Sequence, residues 1–125
     1  MGNRETDRKD SPVLGKGLDE FEVIVFNLQW IEPESGRAMK TSYGINVGKV
    51  MELVAMPKKI TEIHERGHAS FKGVFLLRGK TIPLIDLCDW FNYQLDSSEE
   101  VRQHWTVIVT EMNGKRFGFV THGVD

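Results

Sequence analysis

Apolar residues in this chain come in short bursts that alternate or run for a few positions and then stop at glycine, proline or a charged cluster. That is the rhythm of strands, not of long helices. The β-branched and aromatic run FEVIVFNL predicts a first strand over 20–28. Turn chemistry at 32–36 leads to a second strand over 40–46, where Gly44 marks a bulge or a close backbone approach. Residues 47–54 predict a single helical turn followed by a strand that Pro57 ends. A surface connection then spans 58–70, with a short helical turn expected near Phe71.

The stretch GVFLLRGKTIPLIDLCDWF at 73–91 organises the remainder. Its run from Val74 to Leu77 reads as a strand buried on both faces, or lying where two cores meet. Arg78, Gly79 and Lys80 reverse the chain into a second strand at 81–85. Pro83 cannot donate to a ladder, so pairing of that strand is expected to be interrupted halfway. Asp86 then caps a helical turn whose apolar face would be Leu87, Trp90 and Phe91. Residues 94–102 are polar and read as an exposed loop. Asn113-Gly114 between the segments 104–112 and 115–120 is a strong hairpin signal, because a type I′ turn needs positive φ at both central residues. A strand left at 115–120 without a further neighbour would expose an edge open to self-association, so the domain is expected to continue past Asp125. Many short strands and no long helix predict an all-β barrel or sandwich.

Composition narrows the class. A chain of 125 residues with 40% hydrophobic and 27% charged content suits a soluble globular domain, and a formal net charge of -2 leaves no basic footprint for nucleic acid. No apolar run is long enough to span a membrane, and residues 1–18 read as a disordered, polar leader. The lone Cys88 excludes an internal disulfide and fits a reducing cytoplasm.

Catalytic motifs are scarce. His64-Glu65-Arg66-Gly67-His68 matches H-E-x-x-H, which in zinc hydrolases needs a stable helix to bring both histidines to one face. Gly67 inside the turn, worth about 1 kcal/mol against helix, and the absence of amphipathic flanks favour a solvated loop. A zinc hydrolase is the alternative reading, and a ligand-binding β-barrel a third. Asp86 and Asp89 could pair as acid and base but read better as a helix cap and a first-turn charge. Cys88 reads as a small buried hydrophobe. Neither a metal nor another cofactor is expected. Glu52 and Arg78 each sit among apolar neighbours, where a charge is tolerated only if paired. If partly buried, removing either charge would cost about 1–3 kcal/mol.

The segments FEVIVFNL, YGINVGKVMELV and FKGVFLLRGKTIPLIDL, followed by the hairpin and FGFVTHGVD, together resemble the CheW-like coupling domain of bacterial chemotaxis over 19–125. The wording GLDEFEVIVFNL with YGINV is similar to the CheV subgroup, in which a receiver domain follows. The resemblance implies two small SH3-like β-barrels sharing a core, the second incomplete in this chain, and a scaffold without catalysis. It implies a cytoplasmic protein recruited to membrane receptor arrays, linking the helical tip of a chemoreceptor to the regulatory domain of the histidine kinase CheA. Receptor contact would fall on Ile24, Val47, Val50, Leu53 and Val124, and kinase contact near Lys72, Gly73 and Thr81. Glu52 and Arg78 would form the structural ion pair. Thr121-His122-Gly123 departs from the Val-Asp that the family usually carries before the position of Val124.

Overall fold

The computed structural model describes residues 22–63 and 69–125; the leader, the start of the first predicted strand and the His64 to His68 motif lie outside the described residues. The elements are β1 (Val23–Ile31), β2 (Ala38–Asn46), a 3-10 turn (Val47–Lys49), β3 (Val50–Ala55), β4 (Phe71–Leu77), β5 (Lys80–Asp86), α1 (Leu87–Trp90), β6 (Gln94–Leu95), α2 (Glu99–Arg102), β7 (Thr106–Met112) and β8 (Lys115–Thr121). They make an all-β fold of two sheets, ordered β2-β1-β6 and β3-β7-β8-β5-β4. Among the described residues no helix is long and apolar enough to cross a membrane.

Both tight hairpins follow from turn chemistry. Asn113 and Gly114 take φ of 53° and 76°, and Arg78 and Gly79 take 52° and 78°, so both turns are of the primed type that matches strand twist. The second reversal uses two residues where three were expected, since Lys80 already pairs with Leu77. Pro83 lies opposite Val74, whose N–H and C=O both bond to Thr61 on the other side, so no ladder bond is asked of the proline there. Pairing of β5 with β8 begins only at Leu84, immediately after it.

The second sheet wraps around Phe75, Ile82, Leu84, Val107, Val109 and Val120, with Val54, Met56 and Trp105 packed against them. Its curl brings the outer strands together. The chain leaving β3 bonds to the free edge of β4 through Thr61 and Val74, at 2.8 and 2.9 Å. In the first sheet β1 and β2 pair without interruption from Val23↔Asn46 to Ile31↔Ala38.

Several expectations need correction. The run from Val74 to Leu77 is not buried on both faces: Phe75 points into the core while Leu76 is 72% exposed, because β4 is an outer strand with one covered face. No helical turn forms at Phe71, which opens β4 opposite Ile85. Gly44 makes neither a bulge nor a close approach; it pairs regularly with Val25, and an added Cβ would meet Val23 at an ordinary 3.6 Å. Residues 94–102 are not simply a loop, since β6 pairs with Trp30 and Ile31 and α2 buries Val101. Stacking of Tyr93 on Trp30, with centroids 4.5 Å apart, holds this polar segment against β1. In α1 the residue facing inward is Cys88, fully buried, whereas Trp90 is 56% and Phe91 42% exposed. Leu87 borders one apolar cavity with Phe91 and another with Trp90, so the expected face is present but largely open.

β8 is not left with an open edge either. It lies between β7 and β5, and the chain beyond it crosses to the first sheet. There His122 N–H donates to Asn27 C=O at 2.9 Å, Asn27 N–H to Gly123 C=O at 3.0 Å, and Asp125 N–H to Val25 C=O at 2.9 Å. Residues 122–125 therefore tie the two sheets together.

Candidate functional site

The seam between the sheets owes its shape to an irregularity in β3. A regular strand alternates faces, so Val50, Glu52 and Val54 would share one side. The register instead slips between Val50↔Thr110 and Glu52↔Val109, leaving Met51 as an extra residue. Beyond the bulge Leu53 pairs with Ile108 and Val54 with Val107. Thr110 and Ile108 are two apart on an unbroken strand, so Val50 and Leu53 lie on their face, while Glu52 and Val54 lie on the side of the core.

Leu53 and Val124 line a cavity of about 630 Å³ together with Ala55, Trp105, His122 and Lys40. Ile108, opposite Leu53, lines a second, more apolar cavity of about 270 Å³ with Phe26, Tyr43, Ile45, Phe91 and Phe119. Ile24 pairs with Ile45 on that wall, and Val124 makes an isolated bridge to Phe26. Val47, in the 3-10 turn, is packed beside β7. Of Ile24, Val47, Val50, Leu53 and Val124, the structure brings Leu53 and Val124 into one cavity, where Leu53 is 42% exposed, and leaves the other three on the adjoining strands and 3-10 turn.

Lys72, Gly73 and Thr81 lie elsewhere, on the β4 and β5 side, and do not form one surface. Lys72 is ion-paired to Asp89 of α1. Gly73 is buried, its backbone wedged against Thr61. Thr81 is exposed and borders a cavity of about 440 Å³ with Lys58, Lys59 and Leu76.

Glu52 and Arg78 form an ion pair between β3 and the β4–β5 turn, opposite ends of the curled sheet. The Arg78 side chain is 73% exposed and that of Glu52 26%, so water screens the pair and its worth is about 0.2–1 kcal/mol. The expected pair forms, with Glu52 partly buried as expected, but the turn carries Arg78 past the end of β4 and into water.

Sequence reading missed one constellation, Cys88 with His122. The thiol lies 3.9 Å from His122 Nε2, and the ring stacks on Trp105 with centroids 5.2 Å apart. His122 Nδ1 accepts the Gln29 N–H at 2.7 Å, which places the neutral ring's proton on Nε2, facing sulfur. Burial pushes the Cys88 thiol up to about 12, reinforced by Asp86 and Asp89, so no thiolate is available. Burial also pushes the His122 imidazole down, against an opposing pull from Asp86. A neutral, buried pair of this kind packs a junction. Only the departure at Thr121-His122-Gly123 hinted at it.

Asp86 Oδ1 accepts from the N–H groups of Cys88 at 2.9 Å and Asp89 at 3.4 Å. That is the expected cap, and Asp89 turns to Lys72, so the two carboxylates do not work as a pair. Among the described residues no three His, Cys, Asp or Glu side chains are grouped to hold a metal.

A search of protein families matches the CheW-like domain over residues 36–125. The chain is 36% identical over 105 residues to chemotaxis protein CheV3 of Helicobacter pylori, covering 84% of this chain and 32% of that protein. Chemotaxis protein CheV1 of the same organism is 37% identical over 54 residues, covering 43% of this chain and 17% of that protein. The chain therefore spans about a third or less of the length of these relatives. The crystal structure of the scaffolding protein TtCheW from Thermoanaerobacter tengcongensis superposes with a TM-score of 0.63 at 27% identity, over 82% of this chain and 60% of that one. Two sheets tied together by residues 122–125, and a family match spanning most of the sequence, identify the chain as belonging to the CheW-like domain family.

Proposed function

We propose that this domain is a non-catalytic adaptor of bacterial chemotaxis, of CheV type, that works in the cytoplasm at membrane receptor arrays. Its seam receives the helical tip of a chemoreceptor, and the β4 and β5 side, where Thr81 is exposed, meets the regulatory domain of the histidine kinase CheA. The observation that supports this reading is the bulge at Met51, which puts Val50 and Leu53 on the Ile108 face of β7, with Leu53 beside Val124 in one cavity. An amphipathic helix laid in such a groove buries its apolar stripe, and the polar rim fixes its register.

The test is capture of the domain by an immobilised receptor cytoplasmic fragment. Leu53→Asp and Val50→Asp should each abolish capture. Leu53→Asp should also leave cooperative unfolding within about 1 kcal/mol of wild type, because the side chain is already 42% exposed. Undiminished capture of both variants would refute the assignment of the groove.

A further inference from the structure

His122 sits at the one place where the chain beyond β8 passes from the second sheet to the first, and its ring is the joint. Three elements touch it. β1 offers the Gln29 N–H, bonded to Nδ1 at 2.7 Å; α1 offers Cys88 Sγ, 3.9 Å from Nε2; the segment leading into β7 offers the indole of Trp105, stacked at 17°. The charged neighbours are Asp86, at the end of β5, and Asp96, just past β6, and both favour the imidazolium. The ring is 1% exposed, so a charge on it would lie out of water.

Protonation has a specific mechanical cost. An imidazolium carries N–H on both nitrogens, so Nδ1 can no longer accept from Gln29, and two donors would face each other at 2.7 Å. The ring must leave, and with it goes the segment that follows. Gly123, at φ +151°, gives that segment a flexible root, and three backbone bonds to β1 at 2.9 to 3.0 Å hold it in place.

We propose that His122 is an acid-released latch: a proton on its ring detaches residues 122–125 from β1 while the second sheet stays folded. Asp86 and Asp96 moderate the response without reversing it, because burial outweighs their attraction. The sign follows from linkage. A histidine held neutral in the closed state stabilises that state above its ordinary range near 6.5, and the contribution is lost as pH falls below it. One proton taken up on opening raises the opening constant by up to tenfold per pH unit, or about thirtyfold between pH 7.5 and pH 5. Val124 travels with the segment; on the groove reading above, opening would also remove one wall of the receptor seam.

The test needs no partner. Amide hydrogen exchange by NMR, expressed as protection relative to intrinsic rates, is followed from pH 7.5 to 5 at Asn27, Gln29, His122 and Asp125, with Ile108 and Val120 as references in the second sheet. Protection at the first four should fall by about thirtyfold while the references hold. His122→Asn, whose Oδ1 can stand in for Nδ1 as an acceptor but does not titrate, should flatten the pH dependence. If that variant does not fold, the ring's own titration in wild type decides: its carbon and nitrogen shifts should move together with the loss of protection. Protection independent of pH, loss shared equally with Ile108 and Val120, or a ring that titrates near 6.5 with protection intact would each overturn the latch. None of these outcomes depends on receptor capture, so the latch and the groove can fail separately.

Discussion

Replacing Gly73 with alanine attacks the connection between β3 and β4 at its tightest point. Gly73 sits at φ +126°, a region that L side chains rarely enter, beside the register slip between Phe71 and Gly73. An added Cβ would lie 2.3 Å from the Thr61 carbonyl oxygen and 3.0 Å from its carbon. Carbon and carbonyl oxygen rest at roughly 3.3 Å even in their closest favourable contacts, so one backbone must retreat by about 1 Å. Retreat breaks the two Thr61 to Val74 bonds, each worth about 0.5–1.5 kcal/mol net. The strained dihedral adds about 1–3 kcal/mol. Together the loss should be about 2–6 kcal/mol, a large share of the about 5–15 kcal/mol that usually holds a domain. Urea unfolding followed by tryptophan fluorescence should show the midpoint falling by about 1–3 M with an unchanged slope, for a slope of about 2 kcal/mol/M. A loss below about 0.5 kcal/mol, the range of an ordinary surface change, would show that the segment bearing Thr61 yields freely and that the steric reasoning is wrong.

In a double-mutant cycle of Glu52→Gln and Arg78→Gln, the coupling should be about 0.2–1 kcal/mol and shrink in high salt. A coupling above about 2 kcal/mol would mean the pair is desolvated in solution. Cys88, buried and with its thiol pushed up to about 12, should react with iodoacetamide at pH 8 only as fast as the domain opens; immediate labelling of native protein would contradict that burial.

Much of this fold was readable because its strongest signals are local. Asn113-Gly114 demands a primed turn whatever surrounds it, and Asp86 followed by an apolar turn is a cap by its own chemistry. Pro83 announced a gap in pairing that the ladder with β8 duly shows, since a missing N–H is a property of the residue. What could not be read depends on which strand lies beside which. The exposure of Leu76 follows from β4 being an outer strand, and nothing in its neighbours distinguishes it from Phe75. The bulge at Met51 is set by pairing with β7, more than fifty residues on, and it decides which of Val50, Glu52, Leu53 and Val54 share a face. Cys88 and His122 are thirty-four positions apart and meet only because the chain crosses between sheets. The choice of Ile24, Val47, Val50, Leu53 and Val124 as candidates came from family likeness; periodicity alone would have put Glu52 beside Val50.

The crossing of residues 122–125 onto β1 also has a kinetic meaning. The contact between Asn27 and Gly123 spans 96 positions, so the part of β1 that β6 does not cover stays unsatisfied on one side until nearly the whole described sequence has been synthesised. Closing so large a loop comes late and slowly. A nascent chain of this kind would hold a sticky strand in waiting, and its yield in the cell should depend on how well chaperones shield β1 during that interval.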